Sequence, residues 1–287
     1  MKLVRYGPYG GEKPGLIDDE KNIRDLSHLI GDFSGMSLSA DTLDMLSKLE
    51  VDMLPRIEDN VRLGACVGDV RNFIGVHGNY IAGEKTDPEN TDGSKPRPAL
   101  ILFNKAPSCV VGAQDPIMLP KGEDQPDWEV ELAIVIGRRG SHIRQDQALD
   151  YIAGYCICND ITGRKELEEG SGQFIKAKSA PTFGPLGPWL VTVDEIPNPH
   201  NLEMWVELNG KRLQKGSTSS MLYTIPEIIS YVSRYMALEP GDVITTGSPQ
   251  GSGHEMEPQV YLKKGDRVKL SIDGLGAQEQ KILAWID

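Results

Sequence analysis

The sequence predicts an α+β protein that is mainly β. From residue 99 onward, short apolar runs of strand length follow one another, separated by turn residues. Only two segments in that region have helical periodicity. Strands and helices do not alternate as they do in nucleotide-binding folds with a parallel sheet. We therefore expect a large β-rich region with two packed helices, preceded by a small N-terminal module.

Two strand-like runs and one helix predict the N-terminal module. The strands cover Leu3 to Tyr6 and Gly15 to Asp18, and the helix begins at Ser39 or Asp41 and ends at Leu54. Leucines recur on one face of this helix, which is more typical of a core contact than of a partner site. Pro55 and the polar residues 58–60 follow, and they indicate a domain boundary.

The remaining elements follow this boundary. A strand that begins at Asn72 leads into residues 83–98, a polar Gly/Pro-rich segment that we interpret as a lid, a binding loop or a flexible surface loop. One helix covers about Gln145 to Ala153, and another begins at Thr224 with a capping-box pattern that ends at Glu227. The later strands are Leu100–Phe103, Cys109–Val111, Trp128–Ile136, Tyr155–Cys158, Trp189–Val193, Met204–Leu208, Val243–Thr246, Val268–Ile272 and Lys281–Ile286.

Composition argues against several classes of protein. The formal charge of -12, from 42 acidic and 30 basic residues, disfavours a nucleic-acid surface and favours cation binding. No apolar run has the length of a membrane-spanning helix, and the first residues lack the apolar region of a signal peptide. We expect a cytoplasmic protein that binds neither membranes nor nucleic acid. The cysteines and histidines show neither disulfide-framework nor zinc-site spacing.

Two carboxylates lie in an otherwise apolar predicted strand. Glu129 and Glu131 are two residues apart, so they point to the same face, about 6–7 Å apart along the chain. Such like charges repel each other unless a cation lies between them. A third carboxylate, Asp160, comes just after another predicted strand, where functional sites are often built. The two interpretations are a solvated acidic face and an all-oxygen site for Mg²⁺, Mn²⁺ or Ca²⁺.

Two further segments carry groups that suit an anion. Lys176 and Lys178 have strand spacing and precede a Gly/Pro-rich turn. A lysine directed at an anionic centre binds a carboxylate or an enolate, although exposed lysine pairs are commoner. Near the C terminus a strand leads into residues 247–253, a Gly/Ser-rich loop whose backbone N–H and hydroxyl groups suit an oxyanion. Either segment alone is a weak signal.

Taken in this order, the segments resemble the fumarylacetoacetate hydrolase superfamily. The matching motifs are Trp128-Glu129-Val130-Glu131-Leu132, Asn159-Asp160, Lys178 within residues 172–189, and Thr245-Thr246-Gly247-Ser248-Pro249. The resemblance covers roughly residues 70–287 and is to the bacterial branch that acts on small oxo-acids. It implies a catalytic domain with a mixed β-roll or barrel at residues 67–287, a small N-terminal α+β domain at residues 1–66, and a homodimer.

The resemblance also implies roles for individual residues. The implied ligands of Mg²⁺, or alternatively of Mn²⁺, are Glu129, Glu131 and Asp160. Lys178 stands where the family has a lysine that faces the substrate. The loop that binds the substrate anion contains Thr246, Gly247 and Ser248, and Ser248 replaces the usual second threonine.

The segment that corresponds to the family's lid departs from the usual pattern. Family hydrolases commonly carry Asn-Tyr-x-x-His-x-x-Glu there, and the His–Glu pair activates water. In this chain Asn79-Tyr80 is followed by Gly83 and Thr86 at those two positions. His77 and Glu84 are the candidates for the missing base, with a structural role of His77 as the alternative.

The expected function is that of a Mg²⁺-dependent hydrolase or lyase acting on a small anionic oxo-acid. It would break a C–C bond beside a carbonyl group in a 2,4-diketo sugar acid or an acylpyruvate. Without an effective base, the same site would support oxaloacetate-type decarboxylation or keto–enol isomerisation, which need no attacking water. A ureidoglycolate lyase is another alternative. A non-catalytic binding protein is the alternative from a different class.

Overall fold

Strands form most of the regular structure, so the prediction of a mainly β α+β protein is confirmed. The computed structural model describes residues 1–58, 60–80 and 97–285. Its strands are β1 (Lys2–Tyr6), β2 (Lys13–Ile17), β3 (Ile23–Asp25), β4 (Phe73–His77), β5 (Ile101–Lys105), β6 (Val110–Gly112), β7 (Ile117–Leu119), β8 (Pro126–Asp127), β9 (Val130–Ile136), β10 (Ile152–Asn159), β11 (Thr162–Gly163), β12 (Gly184–Thr192), β13 (Glu203–Leu208), β14 (Lys211–Ser217), β15 (Val243–Thr245), β16 (Arg267–Ile272) and β17 (Gly276–Ala284).

The helices are short. The α-helices are α1 (Ala40–Ser47), α2 (Arg164–Glu169), α3 (Phe174–Lys178) and α4 (Ile225–Val232). Turns of 3₁₀-helix lie at Gly35–Leu38, Val51–Met53, Pro107–Cys109, Gln145–Tyr151, Val193–Glu195, Thr218–Ser220 and Gly253–Glu255. Within the ranges that the structure describes, no helix is long and apolar enough to cross a membrane.

Two mixed sheets contain nearly all of the strands. The larger sheet has the order β3-β2-β1-β12-β10-β9-β15-β4-β5, and β6 also pairs with β12. The smaller sheet has the order β14-β13-β16-β17-β7, while β8 and β11 form a separate pair. Most neighbours are antiparallel, but β15 runs parallel to β4. The sheets meet where β10 and β12 contact β17.

The centre of the larger sheet explains the apolar runs of the sequence. Every residue of β9 and β10 is buried, so these strands do not show the alternating pattern of a half-exposed strand. The antiparallel pairing places Glu131 opposite Cys158 and Val130 opposite Asn159. Asp160, the next residue, therefore emerges at the same end of the sheet as Glu131.

A chain of buried amide side chains joins the two sheets below this end. Gln278 donates from Nε2 to the Ile157 carbonyl at 2.8 Å, and Gln280 donates to Gln278 Oε1 at 3.0 Å. Asn159 donates to Gln280 Oε1 at 3.1 Å and accepts from the backbone N–H of Glu129 at 3.4 Å. The backbone on both sides of the carboxylates is thus fixed from within the core.

The N-terminal strands extend the larger sheet. β1 pairs antiparallel with β12, with Leu3 opposite Leu190. An ion pair of 2.6 Å between Arg62 and Asp115 also joins the N-terminal part to the rest of the chain. The division between residues 1–66 and 67–287 stays a prediction.

Two predicted helices are shorter than expected. α1 ends at Ser47 rather than at Leu54, because the Lys48 N–H turns back to the Met45 carbonyl and ends the helix with a tighter turn. The helix predicted to end at Ala153 is a 3₁₀-helix that stops at Tyr151, because Ile152 already pairs with β9. The helix after Thr224 is confirmed as α4, with its capping box.

The strand spacing assigned to Lys176 and Lys178 was wrong, because both residues lie in α3. α2 and α3 were not predicted. α2 consists mainly of charged residues, and neither helix is long enough to show the apolar stripe that identifies a helix in a sequence.

Gly75 lies where β4 packs closely against β5. A Cβ atom added there would lie 2.0 Å from Cζ of Phe103, its cross-strand partner, which is far inside contact distance. We expect Gly75→Ala to lower the free energy of unfolding by about 1–3 kcal/mol, because the Phe103 ring must leave its place in the core. Chemical denaturation measures the effect.

Gly31→Ala is the matched control, because a Cβ there meets no atom within 4 Å. Its free energy of unfolding should stay within about 0.5 kcal/mol of the wild-type value. Equal stability of the two variants would contradict the close packing at Gly75.

Candidate metal centre

Three carboxylates converge at one end of the larger sheet. Glu129, Glu131 and Asp160 each offer an oxygen atom, and these atoms lie within 4.8 Å of one another. Glu131 and Asp160 are buried, whereas Glu129 is partly accessible. Glu129 precedes β9 instead of lying within it, yet its side chain reaches the same point. The structure thus brings together the three residues that the sequence singled out as ligands.

Lys178 joins two of these carboxylates. Its ammonium group donates to Glu129 Oε2 at 2.7 Å, to Asp160 Oδ2 at 2.6 Å and to Thr162 Oγ1 at 2.7 Å. Burial alone would lower the pKa of Lys178, but the negative charges of Asp160 and Glu129 outweigh burial and raise the pKa. Lys178 is therefore a permanent cation inside the site.

Arg164, at the start of α2, is a functional candidate that sequence reasoning missed. It donates to Glu129 Oε1 at 2.6 Å and to Asp127 Oδ2 at 2.9 Å. Burial would raise the pKa of Glu129, but Lys178 and Arg164 together hold it at about 2. Arg164 follows Asp160 by four residues, and that short spacing was the one available signal.

Lys105, the last residue of β5, was also missed. Its side chain is fully buried, and Nζ donates to Asp160 Oδ1 at 2.6 Å and to the backbone carbonyl of Lys178. No local pattern around Lys105 distinguishes it from a surface lysine, because its partners are 55 and 73 residues away along the chain. Only the fold brings the three groups together.

Of the three carboxylates, Glu131 is the one whose negative charge is least compensated by nearby cations. Its Oε2 accepts the backbone N–H of Gly247 at 3.0 Å, and among the described residues no lysine or arginine forms an ion pair with it. Burial, with the added repulsion of Asp160 and Glu129, raises its pKa well above the usual carboxyl range. A divalent cation next to Glu131 would supply the missing charge, and three carboxylates are the donors that Mg²⁺ and Mn²⁺ prefer. The residues therefore fit such an ion.

The predicted anion-binding loop directly follows β15. The Thr246 hydroxyl donates to the Leu132 carbonyl at 3.0 Å, and the Ser248 hydroxyl donates to the Val130 carbonyl at 3.0 Å. Together with the bond from Gly247 to Glu131, these contacts hold Thr246, Gly247 and Ser248 against β9. The two hydroxyl groups are thus already engaged, so a ligand here would meet a loop of fixed shape.

A cleft of about 370 Å³ opens above the carboxylates. Its lining includes Glu129, Glu131, Lys178, Gly247, Ser248 and His77. His77 lies exposed at the end of β4, with its ring 5.1 Å from the Phe174 ring. Desolvation by the cleft wall lowers the pKa of His77, although Glu129 partly offsets this effect. Glu84, the other candidate base, lies outside the described residues.

Comparison with known proteins agrees with this geometry. The family model described as "Fumarylacetoacetate (FAA) hydrolase C-terminal" matches residues 66–283. A fumarylacetoacetate hydrolase from Exiguobacterium antarcticum is 36% identical, and the alignment covers 99% of this chain and 100% of that one with a TM-score of 0.85.

Two further similar structures are of enzymes named for other activities. The first is a maleylpyruvate hydrolase from Sphingobium sp. SYK-6 in complex with manganese(II) and pyruvate, 27% identical over 100% of both chains with a TM-score of 0.81. The second is a 5-carboxymethyl-2-hydroxymuconate delta-isomerase from Mycobacterium smegmatis, 28% identical over 100% of both chains with a TM-score of 0.80. Because the family model spans most of the chain and the sequence motifs fall within it, this protein belongs to the fumarylacetoacetate hydrolase family.

Proposed function

We propose that this protein is a hydrolase or lyase, dependent on Mg²⁺ or Mn²⁺, that cleaves a C–C bond beside a carbonyl group in a small anionic oxo-acid. The observation that carries the proposal is the cluster of Glu129, Glu131 and Asp160, with the Lys178 ammonium donating to two of its members. A divalent ion held by the three carboxylates would polarise the oxygen atoms of an α-keto acid. Acylpyruvates and 2,4-diketo sugar acids are the substrates to test.

The charges around the cleft favour an anionic substrate once a divalent ion is bound. Four carboxylates, those of Asp127, Glu129, Glu131 and Asp160, face three cations in this network, Lys105, Arg164 and Lys178. With all four carboxylates ionised, the network has one surplus negative charge, and a divalent ion changes it to one surplus positive charge. An oxo-acid carboxylate then compensates that charge.

The chain's own residues would hold the substrate and the developing charge. The Lys178 ammonium lies close enough to the carboxylates to stabilise negative charge on a substrate oxygen bound beside them. Gly247 and Ser248 line the same cleft, and the loop at residues 246–248 would position the substrate anion. His77 lines the cleft, and its lowered pKa favours the neutral imidazole, which would accept a proton from water.

The relatives support both the metal and the substrate class. The Sphingobium maleylpyruvate hydrolase was solved with manganese(II) and pyruvate, a small oxo-acid. A homodimer and a cytoplasmic location stay predictions from the sequence.

A keto–enol isomerase is the second candidate. The observation in its favour is the similarity to the Mycobacterium smegmatis delta-isomerase. Isomerisation needs stabilisation of an enolate but no water activated by a base, and the usual lid histidine position is occupied by Gly83. Oxaloacetate-type decarboxylation likewise needs a stabilised enolate and no activated water.

Product analysis separates these activities. With Mg²⁺ or Mn²⁺, we expect an acylpyruvate or a 2,4-diketo sugar acid to give two carboxylic acid products, and we expect turnover to stop when the metal is chelated and to return when it is restored. NMR identifies the products. Unchanged carbon connectivity with a shifted double bond would instead establish the isomerase, and turnover that persists under chelation would contradict the metal site.

Removing one ligand tests the site itself. We expect Glu129→Gln to lower kcat/KM by about 10²–10³-fold, because it weakens both the metal site and the charge that orients Lys178. Circular dichroism should show an intact fold, since Glu129 is partly exposed at the cleft. Asp124→Asn, at an exposed acidic residue, is the control and should retain activity. A Glu129→Gln variant that keeps full activity would exclude a catalytic metal at this carboxylate.

The raised pKa of Glu131 gives metal binding a pH dependence. A metal binds the ionised carboxylate, so binding displaces the proton that Glu131 retains in the metal-free protein, and affinity falls as pH decreases through that raised pKa. Calorimetry of Mn²⁺ binding in two buffers of different ionisation enthalpy measures the proton release. We expect the release to disappear in Glu131→Gln, together with most of the affinity. Proton release that is zero at every pH in the wild type would refute this assignment.

A further inference from the structure

We propose that Lys105 is a positioning residue, which holds the Asp160 carboxylate and the Lys178 side chain in the positions that the reaction requires. The inference rests on the proposed function, since it assumes that Asp160 binds a metal ion and that Lys178 faces the substrate. Lys105 itself lies behind the carboxylates and does not line the cleft. It therefore acts through its neighbours and is not a catalytic residue.

The Lys105 ammonium has a complete set of partners. Nζ lies 2.6 Å from Asp160 Oδ1 and 3.5 Å from the Ile161 carbonyl, and it also donates to the Lys178 carbonyl. An ammonium group has three N–H donors, and these three acceptors use all of them. The side chain is fully buried, so water cannot replace any of these contacts. Lys105 thereby connects β5, the segment after β10 and the end of α3.

The two oxygen atoms of Asp160 are divided between the two lysines. Oδ1 accepts from Lys105 and Oδ2 accepts from Lys178. The Asp160 backbone N–H also donates to the Glu129 carbonyl at 2.9 Å. With the backbone and both oxygens held, the carboxylate has one orientation. Lys105 is the contact on the side away from the cleft, so it is the contact that a bound metal or substrate does not disturb.

Lys105 also holds the helix that presents Lys178. α3 has five residues, which is too short for a helix to be stable by itself. The carbonyl groups at its C-terminal end need partners from elsewhere, and Lys105 supplies one to Lys178. The next residue along β5, Ala106, donates its N–H to Ser179 Oγ at 2.8 Å and adds a second contact to the same helix end. The end of β5 thus fixes the point from which the Lys178 side chain extends.

Two possible roles of Lys105, positioning and pure electrostatics, predict changes of opposite sign in metal affinity when the residue is replaced. Removing a positive charge close to a cation site strengthens cation binding by Coulomb's law. Removing a positioning contact weakens it, because Asp160 then loses its fixed orientation, and groups that hold a metal ligand in place typically affect affinity by about 10- to 100-fold. The sign of the change in affinity therefore distinguishes the two roles.

The test is Mn²⁺ binding to Lys105→Met, followed by electron paramagnetic resonance or calorimetry in the absence of substrate. We expect an affinity loss of about 10- to 100-fold, together with a fall in kcat on the substrate that the wild type turns over. Lys176→Met is the matched control: it removes the same charge from an exposed position on α3 and should bind Mn²⁺ as the wild type does.

Thermal melting, measured alongside, separates positioning from simple structural support. A folded Lys105→Met variant that is less stable but binds Mn²⁺ as tightly as the wild type, or more tightly, would overturn the inference. Lys105→Gln retains a hydrogen-bond donor for the buried acceptors and replaces the methionine variant where that variant does not fold. If the wild type itself fails to bind Mn²⁺, the proposed function falls, whereas normal wild-type binding with unchanged variants refutes only the role of Lys105.

Discussion

The structure depends on the compensation of charge among carboxylates that the fold has placed inside the protein. Asp160 and Glu131 are almost fully buried, and burying a carboxylate is costly unless cations and hydrogen bonds surround it. Lys105 and Lys178 share the two oxygens of Asp160, and Arg164 and Lys178 share those of Glu129. Among the described residues, this division leaves Glu131 without a lysine or arginine in an ion pair with it. The site is therefore incomplete in the one place where a divalent ion would complete it.

The sheet supplies the rigidity that such close charges require. Glu131 lies in the fully buried β9, beside β10, the strand that carries Asp160 at its end. The amide chain from Gln278 through Gln280 to Asn159 fixes the backbone beneath them, and the loop after β15 closes against β9 through four hydrogen bonds. Each support lies in the core or comes from the backbone. Repulsion between the carboxylates therefore cannot be relieved by moving the strands apart and is relieved by cations instead.

Sequence reasoning identified the parts of the site that have local signals. The spacing of Glu129 and Glu131, the position of Asp160 after a buried strand and the ordered motifs around Lys178 are all visible in the chain. Lys105 has no such signal, and Arg164 has only its spacing of four residues from Asp160, because what makes each important is a contact with residues distant in the chain. The same reason explains why Lys178 was assigned strand spacing. α3 is held by β5 and by the carboxylates, and its own sequence has no periodicity that marks a helix.

The charge arrangement also orders the binding events in the proposed reaction. Without a divalent ion, Glu131 retains its proton, and the three cations of the network compensate the other three carboxylates, so the cleft has no surplus positive charge that attracts an oxo-acid carboxylate. The Lys178 ammonium has no N–H left for the substrate in this state, because its three donors are already directed at Glu129, Asp160 and Thr162. If Glu129, Glu131 and Asp160 held a divalent ion, the network would gain one surplus positive charge, and Lys178 would share Glu129 and Asp160 with that ion and have an N–H available for the substrate. Metal and substrate binding are then coupled, and by linkage each strengthens the other.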